Sequence, residues 1–600
     1  SRSSHPASFP ARLTLPSATG PVPMLRRVLP LLLLATPLAA QARDSVVPDL
    51  LALVARPRSE VAPVLERWST DRAALGRRYA VEYSPERTNR FRSFYRSWQT
   101  ELQRLPFEKL SRPGQVDFLL LDNKLRYELA LLDREQKLAA EMAPLLPFAP
   151  TLFGLVEERR KFVRPAPADA AKRITAMTTA LDAARASMMA PANRPTKIVA
   201  LRAAEAAAEL RGQFQGWLRF YQGYDAEMTW WVGEPAKRFD AALEAWRKYL
   251  REQLVGARDG QDEPIVGDPI GAEGLAVDLQ AEMIAYTPAE LIAIAEKEYA
   301  YLLGEAKKTA RSMGLGDDWK KAAEKTKDDF APVGTQTLAV RDMAFEAIQY
   351  VEKNNLVTVP PLAKEIWRME MMSPAAQKVS PFFLGGEVIQ VSSPTDGMTD
   401  EEKLMVLRAN NLHGSRATVQ HELIPGHHLQ GFAAARNGTA RGIFGTPFFH
   451  EGWALWWELY LWDRGFPVTP ENRMGMLFWR MHRAARIIFS LKFHLGEWTP
   501  QQCIDFLVDA VGHERASATG EVRRSFNGSY SPLYQAGYLL GGMQLRALHT
   551  ELVTSGKMTD RSFHDAVLAA GPMPIEMVRA QLEPDRPLTR TYRSAWRFGE

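Results

Sequence analysis

From Val46 to about Gln253 apolar residues recur at intervals of three and four, as in Gln115 to Leu132 and Val199 to Tyr221. That spacing puts them on one face of an α-helix. The stretch is read as helical almost throughout, with breaks expected at Arg112-Pro113-Gly114 and from Ala190 to Pro195. The Trp230-Trp231 pair is expected to pack in a core. A polar, glycine-containing segment from Gly256 to Gly274 reads as a long loop. Helix resumes at Thr287-Pro288-Ala289-Glu290, where Thr287 is placed to cap, Pro288 to take the first helical position and Glu290 to complete a capping box. Helices are then predicted to about Glu370. The one clear β pattern, Val379 to Leu384, Gly385-Gly386, then Glu387 to Val391, predicts a hairpin. No repeat of fixed period is present.

Chemistry concentrates after that hairpin. Eight of the 11 histidines lie between His413 and His513, which points to one catalytic half, about 375–600. Its centre is Gln420-His421-Glu422-Leu423-Ile424-Pro425-Gly426-His427-His428-Leu429-Gln430. In a zinc-hydrolase helix of His-Glu-x-x-His form, imidazoles at i and i+4 share a face and the Glu serves as general base. Here Pro425 stands at i+4. It has no amide to bond the carbonyl of residue 421 and its ring clashes with that carbonyl, so a kink or bulge is expected. A local widening would bring His427 into the usual second position, leaving His428 for an outer role or for the substrate; His427 is favoured of the two. A histidine pair alone fits a core histidine equally well. The second segment, Phe448-Phe449-His450-Glu451-Gly452-Trp453-Ala454-Leu455-Trp456-Trp457-Glu458, changes the balance. A carboxylate at the head of so apolar a helix is costly unless paired or metal-bound, so Glu451 is the candidate third ligand.

Taken together, His-Glu-x-x-Pro-Gly-His-His-Leu-Gln followed by Glu-Gly-Trp-Ala resembles the bacterial family called domain of unknown function 885, predicted zinc metallopeptidases related to the gluzincins. The resemblance implies one Zn2+ per chain held by His421, His427 and Glu451, with Glu422 as base. It also implies an all-α, two-lobed metallopeptidase-like fold with a small β-hairpin beside the active-site helix. In gluzincins an edge strand there pairs with extended substrate. Family members often carry Arg-x-x-x-Asp-x-x-x-His in the helix where this chain has Arg486, Ser490 and His494, so Arg486 and His494 become candidate substrate contacts while Ser490 departs from the pattern. Tyr534-Gln535-Ala536-Gly537-Tyr538 resembles a segment of helical gluzincins whose tyrosine donates to an oxyanion; Tyr538 is the first candidate and Tyr534 the second. Arg523 and Arg524 upstream are weighed as carboxylate binders, although paired arginines are usually solvated.

Address and charge complete the expectation. Residues 1–23 contain no acid; Met24 opens a basic Leu25-Arg26-Arg27, an apolar run from Val28 to Leu38, and Ala40-Gln41-Ala42. These are the parts of a secretory signal, with Met24 read as the start and Arg43 as the mature terminus; the apolar run is too short to span a bilayer. Loss of residues 1–42 removes Arg2, Arg12, Arg26 and Arg27, so the formal charge falls from +5 to +1. Nucleic-acid binding is therefore not expected, and a periplasmic or secreted enzyme acting on short peptides is, with no membrane span in its mature 43–600 domain. Cys503 stands alone, which excludes an intrachain disulfide, and is read as a core residue. A zinc amidase or esterase and a non-catalytic periplasmic binding protein are the alternative functions.

Overall fold

The structure, a computed structural model, describes residues 46–258, 260, 263–379, 383–528 and 530–599. The predicted leader lies outside the described residues. The chain divides into two compact units, 1–50 and 51–600; only residues 46–50 of the first are described, and everything below concerns the second.

The amphipathic pattern becomes helices around two hydrophobic cores. Helix α1 (Arg112–Met142) starts where a break was expected. Ser111 accepts from the Gly114 amide at 3.3 Å, and Pro113 sits in the first turn, where its missing amide would have had no helical partner anyway. One core is built by α2 (Pro167–Ser187), α3 (Lys197–Tyr221) and α4 (Ala226–Tyr249) with helix Ala149–Arg160; Leu152, Ile174, Ala207, Trp217, Phe239 and Trp246 fill it. Trp230 and Trp231 stay outside it, 74% and 40% exposed, which corrects their assignment to a core. They lie in the first turns of α4, where Met228 and Val232 take the inward positions.

The larger core joins α1 to α5 (Pro288–Ser312) and to the C-terminal helices. At the head of α5 the predicted capping box forms: the Glu290 amide donates to Thr287 Oγ1 at 3.3 Å and the Thr287 amide to Glu290 Oε2 at 2.7 Å. Residues 380–382, in the first arm of the expected hairpin, lie outside the described residues, and among those described no hairpin ladder is present. Strand β1 (Arg368–Met371) pairs in parallel with β2 (Val388–Val391), Arg368 opposite Val388, and Leu384 contributes only an antiparallel bridge to Gln390. The reason lies in the Gly-Gly turn, which is committed elsewhere: the Gly386 amide donates to the Glu422 carbonyl at 3.1 Å. Ile389 and Val391 meanwhile pack with Phe383, Val419 and Leu423, which fixes β2 against the helix that follows.

That helix is α7, preceded by α6 (Asp400–Ala409). Helix α7 (Leu412–Glu422) and α8 (His427–Ala434) are separate pieces, followed by α9 (Pro447–Asp463), α10 (Pro470–His494), α11 (Arg515–Phe526) and α12 (Tyr534–His549). Helices α9 and α12 lie backbone to backbone along a glycine seam. A Cβ on Gly452 would come within 2.6 Å of the Gly541 Cα, and one on Gly541 within 2.1 Å of the Phe448 carbonyl oxygen. No single described helix is long and apolar enough to cross a membrane; Arg112–Leu145 with Ala149–Arg160, bent by 115°, passes that test only as a pair.

Candidate metal centre

The break at Pro425 is complete, where a kink within one helix was expected. Helix α7 ends at Glu422, and the Gly426 amide turns back to donate to the Gln420 carbonyl at 3.0 Å. Gly426 is required by space: a Cβ there would lie 1.9 Å from the His421 carbonyl oxygen. The Trp453 indole on α9 holds the turn through the Pro425 carbonyl at 2.9 Å. Helix α8 therefore begins at His427, whose ring meets His421 edge to face with centroids 4.7 Å apart.

Helix α9 supplies the third group. Thr446 caps it by accepting from Phe449 N at 3.3 Å, and Gln430 of α8 donates to the Phe449 carbonyl at 2.9 Å, which ties the two helix heads together. Glu451 Oε2 then stands 3.2 Å from His427 Nε2 and 3.7 Å from His421 Nε2. One ligand atom from each residue lies within 4.8 Å of the others. The fit to a divalent metal rests on the donors: two imidazole nitrogens converge on a buried carboxylate oxygen that, apart from them, has no polar partner among the described residues. Two of the three candidate ligands are oriented by a neighbour through their other polar atom. His421 Nδ1 donates to Glu458 Oε1 at 2.7 Å, leaving Nε2 turned inward, and Tyr534 donates to Glu451 Oε1 at 2.6 Å. Metal-bound histidines commonly donate their other N–H to a carboxylate in this way.

The electrostatics follow from this packing. Burial disfavours a charged His421, but hydrogen bonds to Glu451 and Glu458 outweigh it and raise its pKa to about 9. Burial likewise opposes ionised Glu451, and the two histidines overcome it, holding its carboxyl well below the usual range. The metal-free pocket thus takes up protons that a cation would displace. Glu422, half-buried, is raised by burial. It is covered by the Gly385 turn, where a Cβ would lie 2.6 Å from the Glu422 Cα.

The other predicted residues separate into two groups. His428 points away: its ring Nε2 donates to the Ala363 carbonyl at 2.7 Å, so it fixes α8 to the preceding chain. His494 lies two turns beyond Arg486, buried with its ring packed on Phe493 and Phe526, and burial lowers its pKa to about 4. Tyr538 stacks on His421, centroids 6.3 Å apart and planes 14° apart. Arg486 lies 4.6 Å above the Tyr538 ring and donates to Glu521 Oε1 at 2.6 Å. Glu458 and Glu521 were not anticipated. Glu458 had a readable signal, an ionisable residue two turns after Glu451 on the same face of an otherwise apolar helix. Cys503 is buried.

Comparison with known proteins gives a family and a fold. The profile of the family described as bacterial protein of unknown function (DUF885) matches residues 70–582. The chain belongs to DUF885. None of the curated proteins matches the DUF885 chain. Among solved structures, a candidate lipoprotein of unknown function from Shewanella oneidensis is similar with a TM-score of 0.64 and 19% identity, over 87% of this chain and 99% of that one. A candidate lipoprotein from Colwellia psychrerythraea gives 0.53 and 15%, over 84% and 91%. At these identities the likeness is one of fold.

Proposed function

We propose that this DUF885 chain is an exported zinc-dependent peptidase acting on short peptides, with a two-lobed metallopeptidase-like fold. The observation that carries the reading is the convergence of His421, His427 and Glu451 on one point beside Glu422, with Glu451 Oε2 buried and faced by the two imidazole nitrogens. Zinc bound there would supply Lewis acidity, polarising a substrate carbonyl and acidifying water. The chain's own groups perform the proton work. Glu422, kept from full solvation by the Gly385 turn, accepts a proton from the attacking water and passes it to the leaving amine. Its raised pKa makes it a better acceptor than a solvated carboxylate. Tyr538 is held by stacking on His421 and by the Arg483 and Arg486 guanidiniums 4.7 and 4.6 Å from its ring. Its hydroxyl, kept protonated by burial, serves as oxyanion donor. Glu458 and Tyr534 orient the ligands. Export is supported by the basic-apolar-small pattern from Met24 to Ala42 and by the description of both structural relatives as candidate lipoproteins.

The test combines elemental analysis with turnover on a tripeptide library. About one zinc per chain is expected in wild type, His428→Ala and Glu422→Gln, and none in His427→Ala or Glu451→Ala. Glu422→Gln should lose nearly all turnover while keeping its metal. A fully active Glu422→Gln would sink the mechanism, and cleavage of small amides or esters but no peptide would favour the amidase or esterase reading.

A further inference from the structure

Beside the metal centre the protein encloses a row of guanidiniums that outnumber the carboxylates paired with them. Arg480, Arg483 and Arg486 project from α10 and are almost fully enclosed, and Arg524 joins them from α11. Their acidic partners are Glu298 for Arg480, Glu458 for Arg483, and Glu521 for both Arg486 and Arg524. Four guanidiniums thus face three carboxylates. His482 and His513 lie against the same group, with His513 Nε2 2.9 Å from His482 Nδ1, and burial keeps both neutral. Glu451 pairs with His421 and His427 instead.

The excess coincides with unmet hydrogen bonds. Arg483 Nε, Arg486 Nη1 and Arg524 Nε are all buried without an acceptor among the described residues. Buried guanidinium N–H groups left unpaired are unusual in a native protein. Arg524 and Glu521 also line a cleft of about 680 Å3. That cleft runs past Met405, Ala516 and Ser517 into a second of about 470 Å3, whose wall includes Phe478 and Trp479. The arginines are coupled to the metal ligands through aromatic rings: Arg524 lies 5.8 Å from the Tyr530 ring, which stacks on Tyr534 at 4.0 Å, the residue that donates to Glu451.

Building on the peptidase reading, we propose that Arg486 and Arg524, backed by Arg483, receive the free C-terminal carboxylate of the substrate, so that the enzyme removes one or two residues from the C-terminus. A carboxylate is the ligand class that supplies the missing charge and several acceptors at once, as planar guanidiniums require. The length follows from the geometry. The His421 ring centroid is 6.3 Å from that of Tyr538, which is 4.6 Å from the Arg486 guanidinium carbon. The guanidinium carbon therefore lies no more than about 11 Å from the His421 ring, at most the reach of about three extended residues, and part of it would be taken by the metal and by the hydrogen bond itself.

The experiment uses the metal-loaded Glu422→Gln protein and, separately, protein stripped with chelator. Calorimetry measures binding of equimolar Ala-Xaa-Ala tripeptides, as free acids and as C-terminal amides. The acids should bind at least 10-fold tighter than the amides in both preparations. Arg524→Gln should erase that difference; Arg486→Lys, which keeps the charge while losing the fork, should reduce it. Wild-type digestion of decapeptides, read by mass spectrometry, should release C-terminal mono- or dipeptides and spare amidated chains. Equal affinity for acids and amides, binding of neither, or a preference that survives both substitutions would overturn the carboxylate subsite. Internal cleavage indifferent to amidation would do so while leaving the peptidase reading intact. A chain that takes up no zinc but still prefers acids would separate the two the other way.

Discussion

Glu282 shows how one residue can set a pH dependence without touching the centre. It follows helix Gly271–Ala281, and its Oε2 is buried with no partner among the described residues. Burial pushes its pKa up to about 8, against a smaller lowering from the Thr446 hydroxyl. The folded carboxyl is therefore protonated where the unfolded one, near 4.5, has ionised. The unfolded state binds fewer protons in that window, so this residue's contribution falls as pH rises from 4.5 toward 8 and is flat outside it. Glu282→Gln should leave stability almost unchanged at pH 5 and raise it by on the order of 2–3 kcal/mol at pH 8. Urea unfolding of both proteins at the two pH values checks this, and an equal gap at pH 5 and pH 8 would show that Glu282 is solvated. Thr446 also caps α9, so the substitution acts beside the helix head that carries Glu451. Nothing in the sequence marks Glu282: a carboxylate in a polar stretch after a loop reads as surface, and only the long-range packing of α9 reveals otherwise. His421, Glu422, His427 and Glu451 were legible because their spacing has a chemical meaning. Glu521 is brought to Arg486 from 35 positions away, a distance no local pattern reports.

Between elements, the glycine seam of α9 and α12 decides the geometry. Gly452, Gly537 and Gly541 let the two backbones touch, and that contact brings Tyr534 within 2.6 Å of Glu451. Gly541→Ala should force the helices apart, lowering stability by about 2–3 kcal/mol and weakening metal retention through loss of the Tyr534 hydrogen bond. Gly431 in α8 provides the contrast, because nothing lies within 4 Å of an added Cβ. Gly431→Ala should be neutral or stabilising by up to about 1 kcal/mol. Thermal unfolding with zinc titration separates them; a Gly541→Ala protein as stable as Gly431→Ala would mean the seam can open without cost. Helix existence was legible from periodicity and caps, as at Thr287. The hairpin was misread because the local pattern of Val379 to Val391 is right for one, while β1, 20 residues earlier, takes the ladder. Gly385 and Gly386 look like turn residues and are used instead to pass close over Glu422. Trp230 and Trp231 were misassigned because size alone predicts burial, whereas the phase of α4 turns both toward solvent.

Across the whole molecule, the centre joins three helices distant in sequence, α7, α8 and α9, to α10 and α12 through side chains that are nearly all buried. His421, Glu451, Glu458, Arg483 and Arg486 would each be costly alone in an apolar interior, and together they form a chain of opposed charges. On the peptidase reading proposed above, a divalent cation at His421, His427 and Glu451 would be the remaining partner, and it would bind the folded chain far better than the unfolded one. Its contribution to stability follows from mass action, about 2.7 kcal/mol at a free concentration 100 times Kd. Spread over an unfolding unit of this size, that is a rise of roughly 2 °C, larger if the metal is tighter. Chelation should therefore lower Tm, and zinc added back should restore it in wild type and in His428→Ala. In His427→Ala and Glu451→Ala, Tm should be the same with chelator and with zinc. The metal-free form has its own signature: the protons held between His421 and Glu451 are released as the metal enters, so calorimetry in buffers of different ionisation enthalpy should show proton release on zinc binding near neutral pH. A wild-type Tm indifferent to zinc, with no proton release, would mean that the three residues are a self-contained ion pair and that this arrangement of charges stabilises the fold without a cation.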